Sequence, residues 1–223
     1  MRQVFRVADP SREPLGRRAK NTLRNREQIL RAALASFSEL GFGASTVRDI
    51  MGRSGLASGT FYNYFDGKDE LLREIVVRFS TRLRQQVREA RLGAKTLDDL
   101  VRSAFRATFT FFARERLLVS MLARNAGEVH ELVAASVMDP AIRDLAEDLE
   151  ARAVEFGIVG VDLDAFALAG VALGHQFGHR LIGERRPDIE ATTELVTDLV
   201  LGGLERAARR ARPGTRRRKE SAR

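Results

Sequence analysis

The 223-residue chain is 44% hydrophobic and 30% charged, an ordinary globular composition with length for one large or two modest domains. It contains no cysteine, which excludes disulfides, thiolate metal sites and cysteine nucleophiles and suits a reducing cytoplasm. The longest uncharged apolar run, Ala165 to Gly174, is about half of the ~20 residues a membrane span needs, and no apolar signal region opens the chain, so a soluble, cytoplasmic protein with no membrane partner is expected. Charge is unevenly distributed: residues 1–91 carry a net +8, residues 92–205 a net −8 and residues 206–223 a net +8. A basic first third joined to an acidic middle fits a DNA-contacting module attached to a separate partner domain, because phosphate rewards Lys and Arg only where they face the duplex.

In chain order, residues 1–25 hold Pro10, Pro14 and the basic residues Arg17, Arg18, Lys20 and Arg24, and read as a flexible basic arm that either tracks DNA or is simply solvated. A first helix is predicted over Leu23 to Leu40, with Ile29, Leu30, Ala33, Phe37 and Leu40 on one face and Gly41 ending it. Ser45 or Thr46 caps a second helix, in which Val47, Ile50 and Met51 face a core and Arg48 lies exposed in the first turn, within reach of a phosphate or a guanine edge. Gly55 allows a sharp turn. A short third helix, Ala57 to Phe65, then turns Phe61 and Phe65 inward and keeps Ser58, Thr60, Tyr62, Asn63 and Tyr64 outside, where polar atoms suit phosphates and base edges. This spacing is a helix-turn-helix signature, and an αα-hairpin in an all-helical core fits it equally. Asp66 and Gly67 break the helix, and a fourth runs from Lys68 to Arg91 with Leu71, Leu72, Ile75, Phe79, Leu83 and Val87 at helical spacing. A cation at that helix start opposes the dipole but suits a site that holds a DNA phosphate, so Lys68 joins the candidate contacts.

Two blocks carry a resemblance to a known family. R-E-Q-I-L-R-A-A-L-A-S-F-S-E-L-G-F, Arg26 to Phe42, resembles the first helix of the tetracycline-repressor (TetR) family and the glycine-aromatic pair that ends it. Thr46 to Leu71 is similar to its next three helices in order and spacing, through T-V-R-D-I, G-L-A-S-G-T-F-Y-N-Y-F and K-D-E-L. The resemblance covers roughly the first third of the chain. It implies an all-α fold: an N-terminal three-helix helix-turn-helix DNA-binding domain, residues 26–72, followed by a helical ligand-binding and dimerisation domain, residues 73–210, with helix 68–91 linking the two. It implies double-stranded operator DNA as a partner, with Arg48 at a family contact position, and the candidate contacts are Arg48, Ser58, Gly59, Thr60, Tyr62, Asn63, Tyr64 and Lys68. The family pattern often has Ser and Lys where this chain has Ala57 and Ser58, so the usual cap of the recognition helix is missing unless Ser58 supplies it.

Beyond Gly93 only helical periodicity is legible. Helices are predicted from Thr96 to Arg116, Leu117 to Asn125, Glu128 to Val137, Asp139-Pro140 to Phe156, Asp162 or Asp164 to Arg186, and Pro187-Asp188 to Arg210. Residues 211–223 read as a basic, disordered tail. The helix opening at Asp162 or Asp164 and the one after it are rich in small residues, at a cost of up to ~1 kcal/mol for each interior glycine, which close packing must offset. A two-fold four-helix seam would do so, through Phe166, Gly170, Leu173, Phe177, Leu195, Leu199 and Gly202, and the resemblance implies a homodimer through these two helices. Packing within one subunit is the alternative.

Phe105, Phe109, Phe112, Met121, Leu122, Phe156 and His175 are the candidate lining of a ligand cavity, which the family fold permits, and they suit a small, mainly apolar effector. His175 and His179 lie at i, i+4, but no third ligand stands at a diagnostic spacing, so no metal site is expected. No nucleophile elbow, phosphate loop or dinucleotide fingerprint is present, so neither an enzyme nor a cofactor is expected. The function implied is a ligand-released repressor that binds a palindromic operator as a dimer. The competing reading is a helical protein-binding adaptor that uses DNA only for placement.

Overall fold

The computed structural model describes residues 16–158 and 160–211. Every regular element among the described residues is a helix, with no strand. Among the described residues nine α-helices follow one another: α1 (Arg17–Leu40), α2 (Val47–Ser54), α3 (Lys68–Leu92), α4 (Leu97–Arg114), α5 (Arg116–Arg124), α6 (Ala126–Val133), α7 (Asp139–Arg152), α8 (Leu163–Gly183) and α9 (Ile189–Ala211). A 3₁₀ turn, Ser58–Asn63, lies between α2 and α3, and a π-helical turn, Ala134–Met138, joins α6 to α7. No helix among the described residues is long and apolar enough to cross a membrane.

Several boundaries differ from the periodicity: α6 runs Ala126–Val133 rather than Glu128 to Val137, α7 stops at Arg152 rather than Phe156 and α8 at Gly183 rather than Arg186, and two differences bear on the reader. α1 begins at Arg17 rather than Leu23, because Arg17, Arg18, Ala19 and Lys20 are good helix formers and the Lys20 N–H bonds the Gly16 carbonyl at 3.1 Å. The basic residues assigned to a flexible arm are therefore helical from Arg17 on; the rest of that arm, residues 1–15, and the tail at 212–223 lie outside the described residues. The predicted helix Ala57 to Phe65 is instead a six-residue 3₁₀ turn. The Tyr64 and Phe65 N–H groups both converge on the Phe61 carbonyl, at 2.9 and 3.1 Å, and Tyr64 leaves the helical region at φ −125°.

The chain divides into two compact units. The first comprises the described residues of Met1–Thr81 with Glu115–Ser136, and its core includes Ile29, Leu30, Phe37, Ile50, Met51 and Phe61. α5 and α6 belong here rather than with the second domain. The Asn125 side chain, which ends α5, accepts the Phe42 N–H at 2.7 Å and donates to the Met121 carbonyl, while Arg124 donates to the Ser38 carbonyl at 2.7 Å. Met121 and Leu122 are thus core residues of this first unit.

The second unit comprises Arg82–Arg114 with the described residues of Val137–Arg223 and is built on α4 packed between α8 and α9, with α7 against α8. Its core includes Leu100, Phe105, Phe109, Leu149, Val196 and Val200. Here the small residues of α8 find their use. Gly170, Gly174 and Gly178 are buried, and a Cβ at Gly174 would stand 3.3 Å from the Phe105 ring. At Gly178 it would stand 2.6 Å from Phe112 Cδ2. The glycines clear space for the aromatic rings of α4 in their own subunit, so Gly170, which faces Leu145, leaves the dimer-seam assignment. Gly178→Ala is expected to lower stability by about 1–2 kcal/mol: overpacking costs ~1–3 kcal/mol and the gain in helix propensity returns less than ~1. Chemical denaturation checks this, and a cost that persists unchanged with Phe112→Leu would place its origin elsewhere.

Candidate nucleic-acid interface and effector cavity

The reader half of the first unit is set by local chemistry. Thr46 caps α2 through a reciprocal box, in which its hydroxyl accepts the Asp49 N–H at 3.2 Å and the Asp49 carboxylate accepts the Thr46 N–H at 2.9 Å. These bonds hold the Asp49 carboxyl below its usual pKa, first through the Thr46 hydroxyl and then through the Thr46 backbone. Gly55 ends α2 at φ +71°, a left-handed conformation that explains a glycine there. The 3₁₀ turn that follows has Ala57 at its N-cap without a side-chain bond, so Ser58 does not replace the missing cap.

Of the predicted contacts, Arg48, Ser58, Gly59, Tyr62 and Asn63 are exposed and Thr60 is half-buried. Tyr62 is 68% exposed, its ring edge-on to the buried Phe61 at 5.2 Å. Tyr64 is drawn partly inward: its hydroxyl accepts a bond from Asn25 at 3.2 Å and its carbonyl one from Arg26 at 2.8 Å. Lys68 differs most from the expectation. Its ammonium donates to the carbonyls of Phe42, Gly43 and Ser45, at 2.8, 3.1 and 3.2 Å, and lies 4.6 Å above the Phe42 ring. All three of its donors are committed to the loop between α1 and α2, so Lys68 is corrected from a phosphate contact to a clamp on the reader.

Arg26 and Arg78 complete that frame by linking α1 to α3. Arg26 bonds Glu74, and Arg78 bonds Glu27 and Glu74. Charge alternation across two helices far apart in sequence gave no sign of these pairs.

The second unit encloses a cavity of about 100 Å³. Phe105, Phe112 and His175, from the candidate lining, border it. Phe109 and Phe156 do not: Phe109 is fully buried in the core, and Phe156 packs there beneath the Arg152 guanidinium at 4.2 Å. Met121 and Leu122 lie in the first unit. The remaining apolar wall comes from residues such as Leu83, Val87, Val101 and Phe166, and polar groups enter it from Arg84, Arg91, Thr108 and Asp144. His175 and His179 face each other with their Nε2 atoms 3.1 Å apart, both edge-on to Phe112. Burial pushes the His175 pKa down to about 4, with the neighbouring His179 adding to the shift, and burial lowers that of His179. Both rings are therefore neutral at pH 7. No group of three or more His, Cys, Asp or Glu side chains that could hold a metal occurs among the described residues.

On α8 and α9 the outward faces are apolar. Leu168, Leu195 and Leu199 are 53%, 49% and 52% exposed, and Ala165, Ala169, Ala172 and Gly202 are open beside them. Phe166, Leu173 and Phe177, three other residues of the predicted seam, are instead half-buried against the core of their own subunit.

A capped helix, a left-handed glycine and a short exposed turn over buried Phe61 and Phe65 define a helix-turn-helix protein. Residues 29–75 match the family model described as bacterial regulatory proteins, tetR family. The chain is 31% identical over 100 residues to the HTH-type transcriptional regulator UidR of Escherichia coli (strain K12), covering 45% of this chain and 51% of that one. It is 36% identical over 86 residues to the HTH-type transcriptional repressor KstR2 of Rhodococcus jostii (strain RHA1), covering 37% and 42%. The chain thus spans about half the length, or less, of these relatives. The transcriptional regulator FadR from Bacillus subtilis, solved in complex with stearoyl-CoA, shares the fold over 79% of this chain and 98% of its own, with a TM-score of 0.64 and 18% identity. Residues 29–75 thus carry the DNA-binding domain of the TetR family of bacterial regulators.

Proposed function

We propose that this protein is a transcriptional repressor that binds a palindromic operator as a homodimer and is released by a small, mainly apolar effector. The observation that carries the reading is the exposed polar row Ser58, Tyr62 and Asn63 on a turn anchored by buried Phe61 and Phe65, with Arg48 exposed on the preceding helix. The names of its relatives, regulators and a repressor among them, support it. The cavity supports the effector: about 100 Å³ is below the ~300–1,000 Å³ of drug-sized sites, so the ligand is a short chain. In this reading two readers sit one DNA turn, ~34 Å, apart, and the effector acts through α3 on their spacing.

Footprinting identifies the operator, and gel-shift titration tests the interface. Tyr62→Phe and Thr60→Ala are expected to weaken binding to every sequence by up to about tenfold each, the worth of one or two polar contacts. Arg48→Ala and Asn63→Ala are expected to change which base is preferred. Unchanged affinity and preference in all four variants would remove the DNA-contact assignment, and an adaptor reading would then follow.

A further inference from the structure

We propose that the cavity of the second unit takes a small apolar monocarboxylate, with the Arg91 guanidinium as its anchor. The inference rests on the effector reading and adds the head group. Arg91 lines the cavity and is only 6% exposed, yet its charge is half-answered. One terminal nitrogen pairs with Asp148 at 3.0 Å, a carboxylate that is itself 42% exposed, and its Nε–H is buried without an acceptor.

The other polar groups of the wall are satisfied. Arg84 and Asp144 form a two-bond pair at 2.7 Å each, the Thr108 hydroxyl donates to the Ala104 carbonyl at 2.9 Å, and His175 meets His179. A buried donor left unpaired costs free energy that a ligand acceptor recovers, and a guanidinium offers a planar carboxylate two parallel N–H groups. Burial lowers the proton affinity of Arg91 while Asp148 and Asp144 raise it, so a desolvated cation stands at an apolar wall. Those two carboxylates favour a guest with a single negative charge, since a dianion would add like charge beside them. The apolar remainder and the small volume set the body of the ligand: a cavity of ~150 Å³ holds benzene and this one is about 100 Å³, so a chain of a few carbons fits.

The test is isothermal titration of the full-length protein at pH 7 with propionate, butanoate and isobutanoate, each beside its uncharged primary amide. The acids are expected to bind about tenfold more tightly than the amides, the worth of a charge-assisted hydrogen bond. Arg91→Met should bring the ratio to about one with amide affinity unchanged. Asp148→Asn, a change at a partly exposed carboxylate, should release the guanidinium and raise acid affinity several-fold, which keeps the test sharp if Arg91→Met folds poorly. Acids and amides binding equally, or an acid preference that survives Arg91→Met, overturns the anchor and leaves the effector cavity standing. Binding by neither class overturns both.

Discussion

The double substitution Leu195→Glu with Leu199→Glu is expected to leave the protein monomeric and to lower its affinity for a two-half-site operator by roughly 10²–10⁴-fold, the advantage that linking two modules supplies. Both leucines are half exposed, so the substitution removes little from the packing of the subunit itself. In a two-fold interface each change occurs twice, so four carboxylates replace four leucines; each is already about half buried, so the rest of its burial would have stabilised the dimer by about 1 kcal/mol. The stripe has the geometry such a seam needs. Leu195, Leu199 and Gly202 recur at i, i+4 and i+7 on α9, and Ala165, Leu168, Ala169 and Ala172 do so on α8, so small residues let two helix pairs approach while the leucines fill the gap. Sedimentation velocity and gel-shift titration read the two effects separately. A double mutant that remains dimeric would move the interface off these faces. A monomer with full operator affinity would separate dimerisation from DNA reading altogether.

Lys68→Met is expected to lower the stability of the reader by about 2–3 kcal/mol, since three hydrogen bonds from a charged donor are lost and each is worth ~1.5–3 kcal/mol before the discount for partial exposure. The carbonyls of Phe42, Gly43 and Ser45 would lose the cation that gathers them, and with it the fixed approach of α1 to α2. The phosphate-contact alternative makes a different prediction. A lost phosphate contact lowers the slope of log affinity against log salt by about 0.9 and leaves the melting temperature alone. The clamp lowers the melting temperature and leaves the slope intact. A changed slope with an unchanged melt would return Lys68 to the DNA surface.

Lys68 also marks how far a linear reading reaches. Its place at the start of α3 was legible, because Asp66 and Gly67 break one helix and the i, i+3, i+4 run from Leu71 starts the next. Its partners were not, since the three carbonyls lie 23–26 residues earlier in the chain and nothing in local spacing aims an ammonium at them. Tyr64 followed the same course: the pattern turned it outward, and Asn25, 39 residues away, takes its hydroxyl. Gly170 was legible as a close-approach residue but not as to which neighbour approached. Met121 and Leu122 were legible as buried, and only the side-chain bonds of Arg124 and Asn125 to the α1–α2 region show which core they enter. Arg91 gave no signal at all, because a basic residue at a helix end is ordinary until burial and an orphaned Nε single it out.

By itself, then, the sequence determined the all-helical class, most helix ends and the buried face of each helix, because a 3.6-residue period, a cap and a breaker act within one or two turns. It also carried the TetR motif, whose residues are contiguous. Tertiary structure decided which polar atoms remain free for a ligand and which are spent inside the protein. It decided that the glycines of α8 receive Phe105 and Phe112 rather than a second subunit, and that a buried arginine borders the cavity. Those outcomes depend on pairs of groups tens of residues apart, and only the packed chain brings such pairs together.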